Sequence, residues 1–362
     1  MLLWPQEWEN NKMRIFITGG SGYVGAMLAR ELSKNPDVKA ILAMDKDDAN
    51  PLYEGDYKVS FLKANTSDKD VWVEKVTRFA PTIVIHTAWQ IREMFDHRDM
   101  QHKWNIEGSD NVFDFAFSTS SVEKLIHFST VASYGAFPEN TIEHIFTEKD
   151  PFRKTDYLYA EEKRIVEDHL EKKYAEAKAI KQNVPEVFII RPASITGPRG
   201  RYMRTSFGLQ SALSGQLKKG FAQRFVSALV MIVPVTPKWC RQFVHEDDIA
   251  DAVKLFASDK AHVGYEVFNI CPPGKVVRGH DMAKAVGKIC IVLPPQFIRF
   301  AFFVTRHLFF GKIPTSKGGW KSYSYPIVVD GSKISSMFDY IYGFGPEEAF
   351  TKKRGRYMEF VE

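Results

Sequence analysis

Two side chains in the run "YLYAEEKRIVEDHL" could move a proton together. Tyr159 and Lys163 stand four positions apart, so they would share one face of a helix. A phenol with an ordinary pKa of about 10 is a poor base at neutral pH, but a nearby ammonium stabilises the phenolate and lowers that pKa. We therefore predict that Lys163 supplies this charge and that Tyr159 acts as a general acid and base.

The same spacing occurs a second time, at Tyr174 and Lys178. This copy lies roughly 22 Å further along the same predicted helix, at about 1.5 Å per residue. It falls in the strongly polar run "EKKYAEAKAIKQ", and we predict that it forms a solvated face. The spacing therefore does not by itself identify a catalytic pair, and a helix-surface Tyr-Lys pair remains the alternative at Tyr159 and Lys163.

A hydroxyl that could hold a substrate oxygen lies at the end of a predicted strand. The apolar run "LIHFST" ends at Ser129 and Thr130. In a doubly wound sheet, strand ends at the carboxyl edge face the ligand crevice. Thr130 is therefore predicted to orient the reacting oxygen, with a hydroxyl that merely caps a loop as the alternative.

A glycine-rich turn, "TGGSGYVG" at residues 18–25, lies between the apolar run "MRIFI" and the helix-like run "AMLARELSK". Gly19, Gly22 and Gly25 match one phosphate-binding spacing, and Gly20 with the last two matches another. Glycines let the backbone approach a pyrophosphate, and the start of the following helix, near Tyr23, favours its negative charge. The context predicts a cradle for a dinucleotide, with a structural turn as the alternative.

An acidic residue lies where such a cradle needs one. Asp45 ends the next predicted strand, in the position of the carboxylate that accepts hydrogen bonds from the adenosine ribose. A carboxylate there repels a 2′-phosphate, so NAD is predicted over NADP. The positive charge of the adjacent Lys46 weakens this preference for NAD. The alternative for Asp45 is that it only caps a loop.

The elements that must position these residues follow a β-α alternation. Short apolar runs such as "AILAMD", "TIVIHTA", "KLIHFST" and "EVFIIRPA" alternate with helical runs near residues 23–34, 100–117 and 156–178. Ile83, Val84 and Ile85 are apolar on both faces of their strand, which is typical of a parallel sheet covered by helices on each side. A doubly wound α/β domain is predicted over about residues 13–195.

The pattern changes after "RPASITGPRG", where prolines and glycines punctuate aromatic segments. A smaller, mixed α/β substrate lobe is predicted at the C-terminal side. The predicted organisation is a tail at residues 1–12, a cofactor-binding domain at 13–198 and 238–268, and the substrate lobe at 199–237 and 269–362. The run "RQFVHEDDIADAVKLF" marks the return of the chain to the first domain.

The composition excludes several classes of protein for this chain. The 362 residues are 44% hydrophobic, which suffices for a sizeable core. The 49 basic and 44 acidic residues are interspersed, so no nucleic-acid surface is predicted. The three cysteines lack a C-x-x-C spacing, and neither a disulfide framework nor a zinc site is predicted. The start "MLLWPQEWENNK" does not resemble a signal peptide, and a cytoplasmic protein is expected.

The most apolar stretch, residues 293–310, is interrupted by Arg299, Arg306 and His307. It falls short of a bilayer-spanning helix, so no transmembrane span is predicted. Its helical pattern is apolar on nearly every face. The alternatives are that it fills the core of the lobe, forms a dimer contact, covers the substrate, or touches a membrane surface near residues 296–310.

Taken together, these motifs resemble the extended short-chain dehydrogenases/reductases, the NAD-dependent epimerase/dehydratase family, whose fold is a Rossmann-type doubly wound sheet. The resemblance runs from about residue 14 to 274, with a looser echo in "IVVDGSKI" at 327–334. Its markers, in the order of the family, are "TGGSGYVG", "HTAW", "NIEGSDNVFDFA", "FSTVASYG", "YLYAEEK", "IIRPASITGPRGR" and "RQFVHEDDIADA".

The resemblance implies a role for each matching residue. Tyr159 would be the general acid/base, Lys163 would contact the nicotinamide ribose and tune Tyr159, and Thr130 would orient the reacting oxygen. Further contacts to NAD are implied for Gly19, Gly22, Tyr23, Val24, Gly25, Asp45, Asn65, Thr66, Thr87, Ala88, Trp89, Asn105 and Pro192. Asn65 and Thr66 stand where the family usually has an aspartate near the adenine, and Trp89 replaces a smaller alanine.

Other polar residues within these markers are assigned no chemistry. His86 and His245 fall inside framework motifs with apolar neighbours, and structural roles are predicted for both. The acidic residues of "HEDD" at 245–248 open a helix, where the helix dipole favours negative charge. No metal is assigned, and a homodimer is expected.

The predicted reaction is NAD-dependent hydride transfer at a secondary alcohol or ketone carbon, as simple oxidation and reduction or as epimerisation. In the sugar 4,6-dehydratases of the family, Asp-Glu follows the equivalent of Thr130, whereas here Val131 and Ala132 follow. Dehydratase activity is therefore not expected. A non-catalytic NAD-binding module is the competing class.

A nucleotide sugar is the first expectation for the substrate. Arg199, Arg201, Arg204 and Arg241 could bind its diphosphate. A lipophilic, sterol-like alcohol is the alternative, because "RPASITG" lacks the asparagine of many nucleotide-sugar enzymes and because the lobe contributes the aromatic run "FIRFAFFVTRHLFF".

Overall fold

The computed structural model describes residues 13–180, 184–200, 232–285, 288–308, 316–351 and 354–358, and the fold is given for these. The strands are β1 Met13–Thr18, β2 Val38–Asp45, β3 Val59–Lys63, β4 Ile83–His86, β5 Lys124–Phe128, β6 Ile145–Phe146, β7 Glu186–Pro192, β8 Ser194–Thr196, β9 Ile232–Val235, β10 Cys240–Arg241, β11 Phe243–His245, β12 Tyr265–Ile270, β13 Val277–Arg278, β14 Ile289–Val292 and β15 Val328–Val329.

The helices are α1 Tyr23–Ser33, α2 Lys69–Phe79, α3 Arg98–His102, α4 Gly108–Ser118, α5 Leu158–Ala179, α6 Glu246–Ala257, α7 Gly279–Ala285, α8 Pro295–Leu308, α9 Lys333–Phe338 and α10 Pro346–Thr351. A π-helical turn, Lys103–Glu107, joins α3 to α4. Short 3₁₀ turns occupy Pro51–Tyr53, Val131–Tyr134 and Gly319–Tyr323.

Seven strands form one parallel sheet in the order β12-β7-β5-β4-β1-β2-β3. β1 lies between β2 and β4, and Ile15 and Ile17 pair with Ile83 and Ile85 of β4. The order reverses beside β1, which is the switch point where ligands bind in doubly wound sheets. The predicted α/β fold is confirmed, and β12 shows that the chain returns to the main sheet after residue 245.

Both faces of the sheet are covered by helices, as the two-sided apolar strands require. Ile15 and Ile17 point to one side, where they join a core with α1 and α6. Phe16 points to the other side and packs with Trp72 of α2 and Phe115 of α4. Successive side chains of one strand therefore feed two separate cores, because side chains alternate across a sheet.

A smaller mixed region is formed by segments of the chain before and after β12. Its core contains Trp239, Phe243, Met282 and Phe350, and its strands pair in short two-stranded sheets such as β14 with β9. This region is the smaller C-terminal part that the sequence predicted. The domain boundaries themselves stay predictions.

Among the described residues, no helix is long and apolar enough to cross a membrane. α8, in the most apolar stretch of the chain, has 14 residues and includes Arg299 and Arg306.

Candidate active site

A cavity of about 1090 Å³ opens at the carboxyl edge of the main sheet. Its walls come from the segments that follow β1, β2, β3, β4, β5 and β7, and from residues 316–327 of the C-terminal region. The predicted site residues that line it are Gly19, Gly22, Tyr23, Val24, Gly25, Asp45, Asn65, Thr66, Thr87, Ala88, Trp89, Asn105, Thr130, Tyr159 and Pro192. Lys163 is the one predicted site residue that does not line the cavity.

The glycine-rich turn packs too tightly for side chains at two positions. Gly19 has a φ of +74°, and a Cβ there would lie 2.6 Å from the amide nitrogen of Ala88. A Cβ on Gly25 would lie 2.1 Å from the carbonyl oxygen of Gly19. α1 then begins at Tyr23, with Gly22 as N-cap and no acidic residue in its first turn. The turn thus presents backbone and a helix N-terminus to the cavity, the arrangement that binds phosphate groups.

Asp45 lies beside this turn at the end of β2. Its Oδ2 accepts a hydrogen bond from the amide of Ser21 at 3.0 Å, and its Oδ1 accepts one from the amide of Asp47 at 3.2 Å. The adjacent Lys46 is paired with Asp47 at 2.9 Å. Asp45, Asp47 and Asp48 all line this end of the cavity, so the charge of Lys46 is offset and carboxylates dominate there.

The next two strand ends complete this wall. The Asn65 Oδ1 accepts a hydrogen bond from the Ser67 amide at 3.1 Å, which fixes the turn after β3. After β4, the Thr87 hydroxyl donates to the carbonyl oxygen of Thr18 at 2.7 Å. The segment with Thr87 and Ala88 is thereby tied to the end of β1, opposite Gly19.

Thr130 and Tyr159 meet on the other wall of the cavity. Thr130 caps the 3₁₀ turn after β5, and its Oγ1 accepts from the amide of Ala132 at 3.1 Å. Tyr159 lies in the first turn of α5, and its hydroxyl is hydrogen-bonded to Thr130. Two hydroxyls from distant segments therefore share one hydrogen bond at the cavity surface, where they could hold and protonate an oxygen.

Burial raises the pKa of Tyr159 above its ordinary value, and the hydrogen bond from Thr130 opposes this rise. The sequence predicted a lowered pKa through Lys163, and the structure does not bear this out. The physical reason is that the phenol loses water by packing into the wall, while its direct partner is a neutral hydroxyl rather than an ammonium.

Lys163 is buried, with 3% of its surface exposed. Its Nζ donates to the carbonyl oxygen of Phe128 and lies 3.5 Å from the ring centre of Trp89. Burial lowers the pKa of Lys163 well below its ordinary value, and Glu167 and Glu162 oppose this shift. Trp89, which does line the cavity, thus stacks on the ammonium in a cation–π contact.

A polar clamp that the sequence analysis missed holds the segment carrying Trp89. The Asn105 Oδ1 accepts from the Gln90 amide at 2.7 Å, and its Nδ2 donates to the Gln90 carbonyl at 3.0 Å. The same Nδ2 and the Gln101 side chain donate to Glu162, at 2.7 and 3.2 Å. Glu162 is buried next to Lys163, so the clamp joins the Trp89 segment to α5.

The second Tyr-Lys pair lies away from this cavity. The Lys178 Nζ donates to the Tyr174 hydroxyl at 3.5 Å. Lys178 is exposed, but Tyr174 is only partly so, because its ring packs between Phe117 and Tyr265. The predicted solvated face is therefore wrong for Tyr174, which serves the packing of α5 on its neighbours.

His86 and His245 have structural partners, as predicted. His86 is hydrogen-bonded to Thr18 at 2.7 Å and to Ser109 at 2.8 Å, and burial lowers its pKa to about 3. His245 caps α6, with its Nδ1 accepting from the amide of Asp247 at 3.1 Å. Neither ring lines the cavity.

The acidic residues that open α6 hold neighbouring segments. Glu246 accepts from the Tyr23 hydroxyl and from the Arg199 amide, while Asp248 accepts from the amide of Gly343 at 2.6 Å. Burial raises the pKa of Asp248 to about 6. Among the described residues, no cluster of three or more His, Cys, Asp or Glu side chains could hold a metal ion.

The far end of the cavity is aromatic and basic. Arg241 lies 4.8 Å from the ring centre of Tyr323, and both line the cavity with Tyr157, Gln242 and Tyr325. Arg199 lines the cavity at the end with the glycine-rich turn, where its guanidinium donates to the carbonyl oxygen of Tyr23 at 3.0 Å. Arg201 and Arg204, the other two predicted arginines, lie outside the described residues.

Comparison with curated proteins gives an aldehyde reductase of Aspergillus flavus, lnaA, which is 21% identical over 302 residues, or 75% of this chain. The chain spans 27% of the length of that relative.

Two solved structures are similar over nearly the whole chain. The Bordetella bronchiseptica enzyme WbmG, in complex with NAD and UDP, is 20% identical over 97% of this chain and 96% of that chain, with a TM-score of 0.68. UDP-glucose 4-epimerase of Thermotoga maritima, with UDP-glucose, is 19% identical over 97% of this chain and 100% of that chain, with a TM-score of 0.68. At these identities the likeness shows the shared fold.

The sequence model of one protein family matches more than half of this chain. It matches residues 15–271, which include the glycine-rich turn, the strand ends around the cavity and the start of α5. NAD is the cofactor of this family, in agreement with the prediction from Asp45. The chain belongs to the NAD-dependent epimerase/dehydratase family.

Proposed function

We propose that this protein catalyses hydride transfer at a secondary alcohol or ketone carbon of a nucleotide sugar, with NAD as cofactor and Tyr159 as general acid/base. The observation that carries this proposal is the hydrogen bond between Thr130 and Tyr159 in the wall of the same cavity that the glycine-rich turn lines. The residues proposed for proton transfer and those proposed for cofactor binding therefore line the same cavity.

The residues around the turn fit NAD. The positions of Gly19 and Gly25 exclude a side chain, which leaves backbone and the start of α1 for the pyrophosphate. Asp45 would accept hydrogen bonds from the adenosine ribose, with Asn65 and Thr66 beside the adenine. Thr87, Ala88 and Pro192 would flank the rest of the cofactor. When bound, NAD supplies a hydride acceptor and donor.

Tyr159 and Thr130 handle the proton. In oxidation, the phenolate of Tyr159 takes the proton of the substrate hydroxyl while Thr130 holds the oxygen. In reduction, the phenol returns that proton to the carbonyl oxygen. Burial raises the pKa of Tyr159, which favours the phenol. Lys163, one turn further along α5, contacts the Phe128 carbonyl and the Trp89 ring, and its proposed role is to hold the wall that carries Thr130 and Tyr159.

Dehydration has less support than simple redox chemistry or epimerisation. Val131 and Ala132 line the cavity directly after Thr130, and neither can exchange a proton with the substrate. Glu93 also lines the cavity, but it is paired with Arg306 at 2.8 Å. Among the described residues, no free carboxylate next to Thr130 is available to eliminate water. A 4-keto-6-deoxy sugar as product would overturn this part of the proposal.

The character of the cavity supports a nucleotide sugar over a sterol-like alcohol. Its volume of about 1090 Å³ exceeds the roughly 300–1,000 Å³ of typical single-ligand pockets, so a second ligand has room beside the cofactor. Arg241 and Tyr323 offer a cation and an aromatic ring for a diphosphate and a base. None of the described residues of α8 lines the cavity, which removes the main argument for a lipophilic substrate.

A binding screen tests the substrate. The NAD-loaded protein is melted with uridine and guanosine diphosphate sugars and, separately, with hydroxysteroids. We expect at least one nucleotide sugar to raise the melting temperature, and Arg241→Met to abolish that rise. Arg278→Met is the matched control, because Arg278 is exposed on the strand paired with β10. A rise with hydroxysteroids alone would favour the lipophilic alternative.

Calorimetric titration with both cofactors tests the role of Asp45. The three carboxylates at this end of the cavity oppose a 2′-phosphate, so NAD is expected to bind at least about tenfold more tightly than NADP. Asp45→Asn should narrow the difference. Tighter binding of NADP to the wild type would mean that Lys46 dominates.

The competing proposal is a non-catalytic module that binds NAD and signals its presence. The filled positions Thr130, Tyr159 and Lys163 argue against it. A panel of alcohols and ketones that yields no change in the reduced cofactor, while NAD still binds, would favour the module.

A further inference from the structure

The helix α8 turns its most apolar face away from the protein. Its exposed large side chains, with the fraction exposed, are Phe297 (60%), Phe300 (65%), Phe303 (61%) and Leu308 (67%). Of its side chains only Ile298 is buried. At 100° per residue, these four positions fall on one side of the helix. Together they leave roughly several hundred Å² of apolar surface in water, the size at which surface patches are often functional.

The opposite side of α8, with Ile298, Phe302 and Arg306, faces the protein. Arg306 is paired with Glu93 at 2.8 Å, and the Arg299 guanidinium lies 5.8 Å from the ring centre of Trp320. Phe302 packs on Tyr323, with ring centres 5.5 Å apart. Glu93 and Tyr323 both line the cavity, so the inner side of α8 supports the cavity wall.

This arrangement contradicts two alternatives from the sequence. The helix does not fill the core of the lobe, since its phenylalanines are largely exposed. It does not cover the substrate either, because the described residues of α8 are absent from the cavity lining. The alternatives that remain are contact of α8 with a second copy of the chain or with a membrane surface.

The charge around α8 identifies the surface that would cover it. Residues 282–329 contain seven lysines and arginines and no aspartate or glutamate, in a chain with nearly equal numbers of basic and acidic residues. Two of the seven, Arg306 and Lys321, are paired with Glu93 and Asp156. The strand β14, directly before α8, adds exposed Ile289, Ile291 and Val292. Exposed phenylalanines within a basic, acid-free segment complement the acyl boundary and the anionic headgroups of a membrane.

We propose that the apolar face of α8, formed by Phe297, Phe300, Phe303 and Leu308, docks on an anionic phospholipid membrane surface. The helix lies in the plane of the interface, with its phenylalanines below the headgroups and the protein body above. This proposal is independent of the proposed reaction. Its structural consequence is that the wall of the cavity near Glu93 and Tyr323 lies close to the membrane.

Vesicle co-sedimentation tests the proposal. The NAD-loaded full chain is mixed with phosphatidylcholine vesicles, with or without phosphatidylglycerol. We expect the wild type to sediment with the anionic vesicles and to be released by salt, because the attraction between the basic segment and the headgroups is screened. The same fraction sedimenting with both vesicle types would contradict the electrostatic part, and no sedimentation with either would overturn the proposal.

A double variant, Phe300→Glu with Phe303→Glu, should reduce the affinity for anionic vesicles at least about tenfold. Tyr57→Glu with Ile341→Glu is the control, because these side chains are exposed elsewhere, at 91% and 87%. Unchanged NAD binding and melting temperature would show that both variants fold. Vesicle binding by the first variant at the wild-type level would overturn the proposal.

Sedimentation equilibrium without lipid examines the other occupant of this face, a second copy of the chain. We expect Phe300→Glu with Phe303→Glu to leave the oligomeric state unchanged. A wild-type dimer that this variant converts to a monomer would show that α8 is a subunit interface, and the membrane proposal would be wrong.

Discussion

The helix α5 carries two Tyr-Lys pairs with identical spacing and very different surroundings. Tyr159 lines the cavity, is hydrogen-bonded to Thr130 and has its pKa raised by burial. Lys163 is buried under Trp89. Further along α5, Tyr174 packs between two aromatic rings, and Lys178 is exposed.

The difference between the pairs shows what the spacing does and does not determine. Four residues along a helix bring two side chains to the same face in both cases. Only the first pair lies at the carboxyl edge of the sheet, where strand ends supply Thr130 and the glycine-rich turn. In the second pair, towards the other end of α5, Tyr174 packs against Phe117 and Tyr265. Position in the fold, rather than the pair itself, creates the chemistry, and paired variants can test this.

The largest difference is expected between Tyr159→Phe and Tyr174→Phe. Tyr159→Phe removes the proton carrier and should lower turnover about 10²- to 10⁴-fold. Tyr174→Phe keeps its ring in the aromatic packing and should leave turnover unchanged. Steady-state rates with the substrate found in the binding screen measure both. Equal losses in the two variants would mean that Tyr159 acts through the stability of α5.

A smaller difference is expected between Lys163→Met and Lys178→Met. Lys163→Met removes the hydrogen bond to the Phe128 carbonyl, two residues before Thr130, so Thr130 should be held less precisely and turnover should fall about 10- to 100-fold. The loss should lie mainly in kcat rather than in KM, because Lys163 does not line the cavity. Lys178→Met should behave as wild type. A normal kcat in Lys163→Met would remove Lys163 from the mechanism.

Lys163 lies 3.5 Å from the ring centre of Trp89, whereas Lys178 lies 5.7 Å from that of Tyr174, so removal of Trp89 also distinguishes the two pairs. The ring stacks on the Lys163 ammonium, and a buried contact of this kind contributes about 2 kcal/mol or more. Trp89→Ala should therefore lower turnover about tenfold, and Trp89→Phe, which keeps a ring, should lose less. Faster turnover in Trp89→Ala would show that the indole obstructs Lys163.

The smallest effect is expected in stability. Burial lowers the pKa of Lys163, so the unfolded chain binds more protons than the folded chain between that lowered pKa and the ordinary value of about 10.4. Lys163 therefore makes the free energy of unfolding rise with pH within this window. Lys163→Met should flatten this rise and increase the melting temperature at neutral pH by a few degrees.

Urea unfolding at neutral and mildly alkaline pH measures this slope. Lys178→Met is the control and should keep the wild-type slope. A Lys163→Met protein with an unchanged slope would show that burial of Lys163 does not couple its protonation to folding.

The fold could be predicted from the sequence because its signals are local. Runs such as Ile83, Val84 and Ile85 are apolar on both faces, and a strand with that pattern has to be covered on both sides. The role of Gly19 and Gly25 in a tight turn could also be predicted, because the close approach of the backbone leaves no room for a Cβ at either position. These two signals together locate the cavity.

The remaining features depend on where side chains point after the chain has folded. The stacking of Trp89 on Lys163 joins segments that are far apart in the sequence, and so does the clamp from Asn105 to Glu162. The pKa of Tyr159 depends on how much water its pocket excludes, and the spacing of residues in the sequence gives no information about that. For α8, the periodic pattern describes the faces of the helix but does not say which of them meets the protein.

Hydride transfer from the substrate to the cofactor can be followed with an isotope. The substrate is deuterated at the proposed reacting carbon and mixed with NAD-loaded protein, the reaction is quenched in alkali, and the reduced nicotinamide ring is analysed for deuterium by mass spectrometry. We expect deuterium on the ring with the wild type and with Tyr174→Phe, and none above background with Tyr159→Phe. Product formed by the wild type at full rate, with no deuterium ever on the ring, would contradict the proposed hydride transfer.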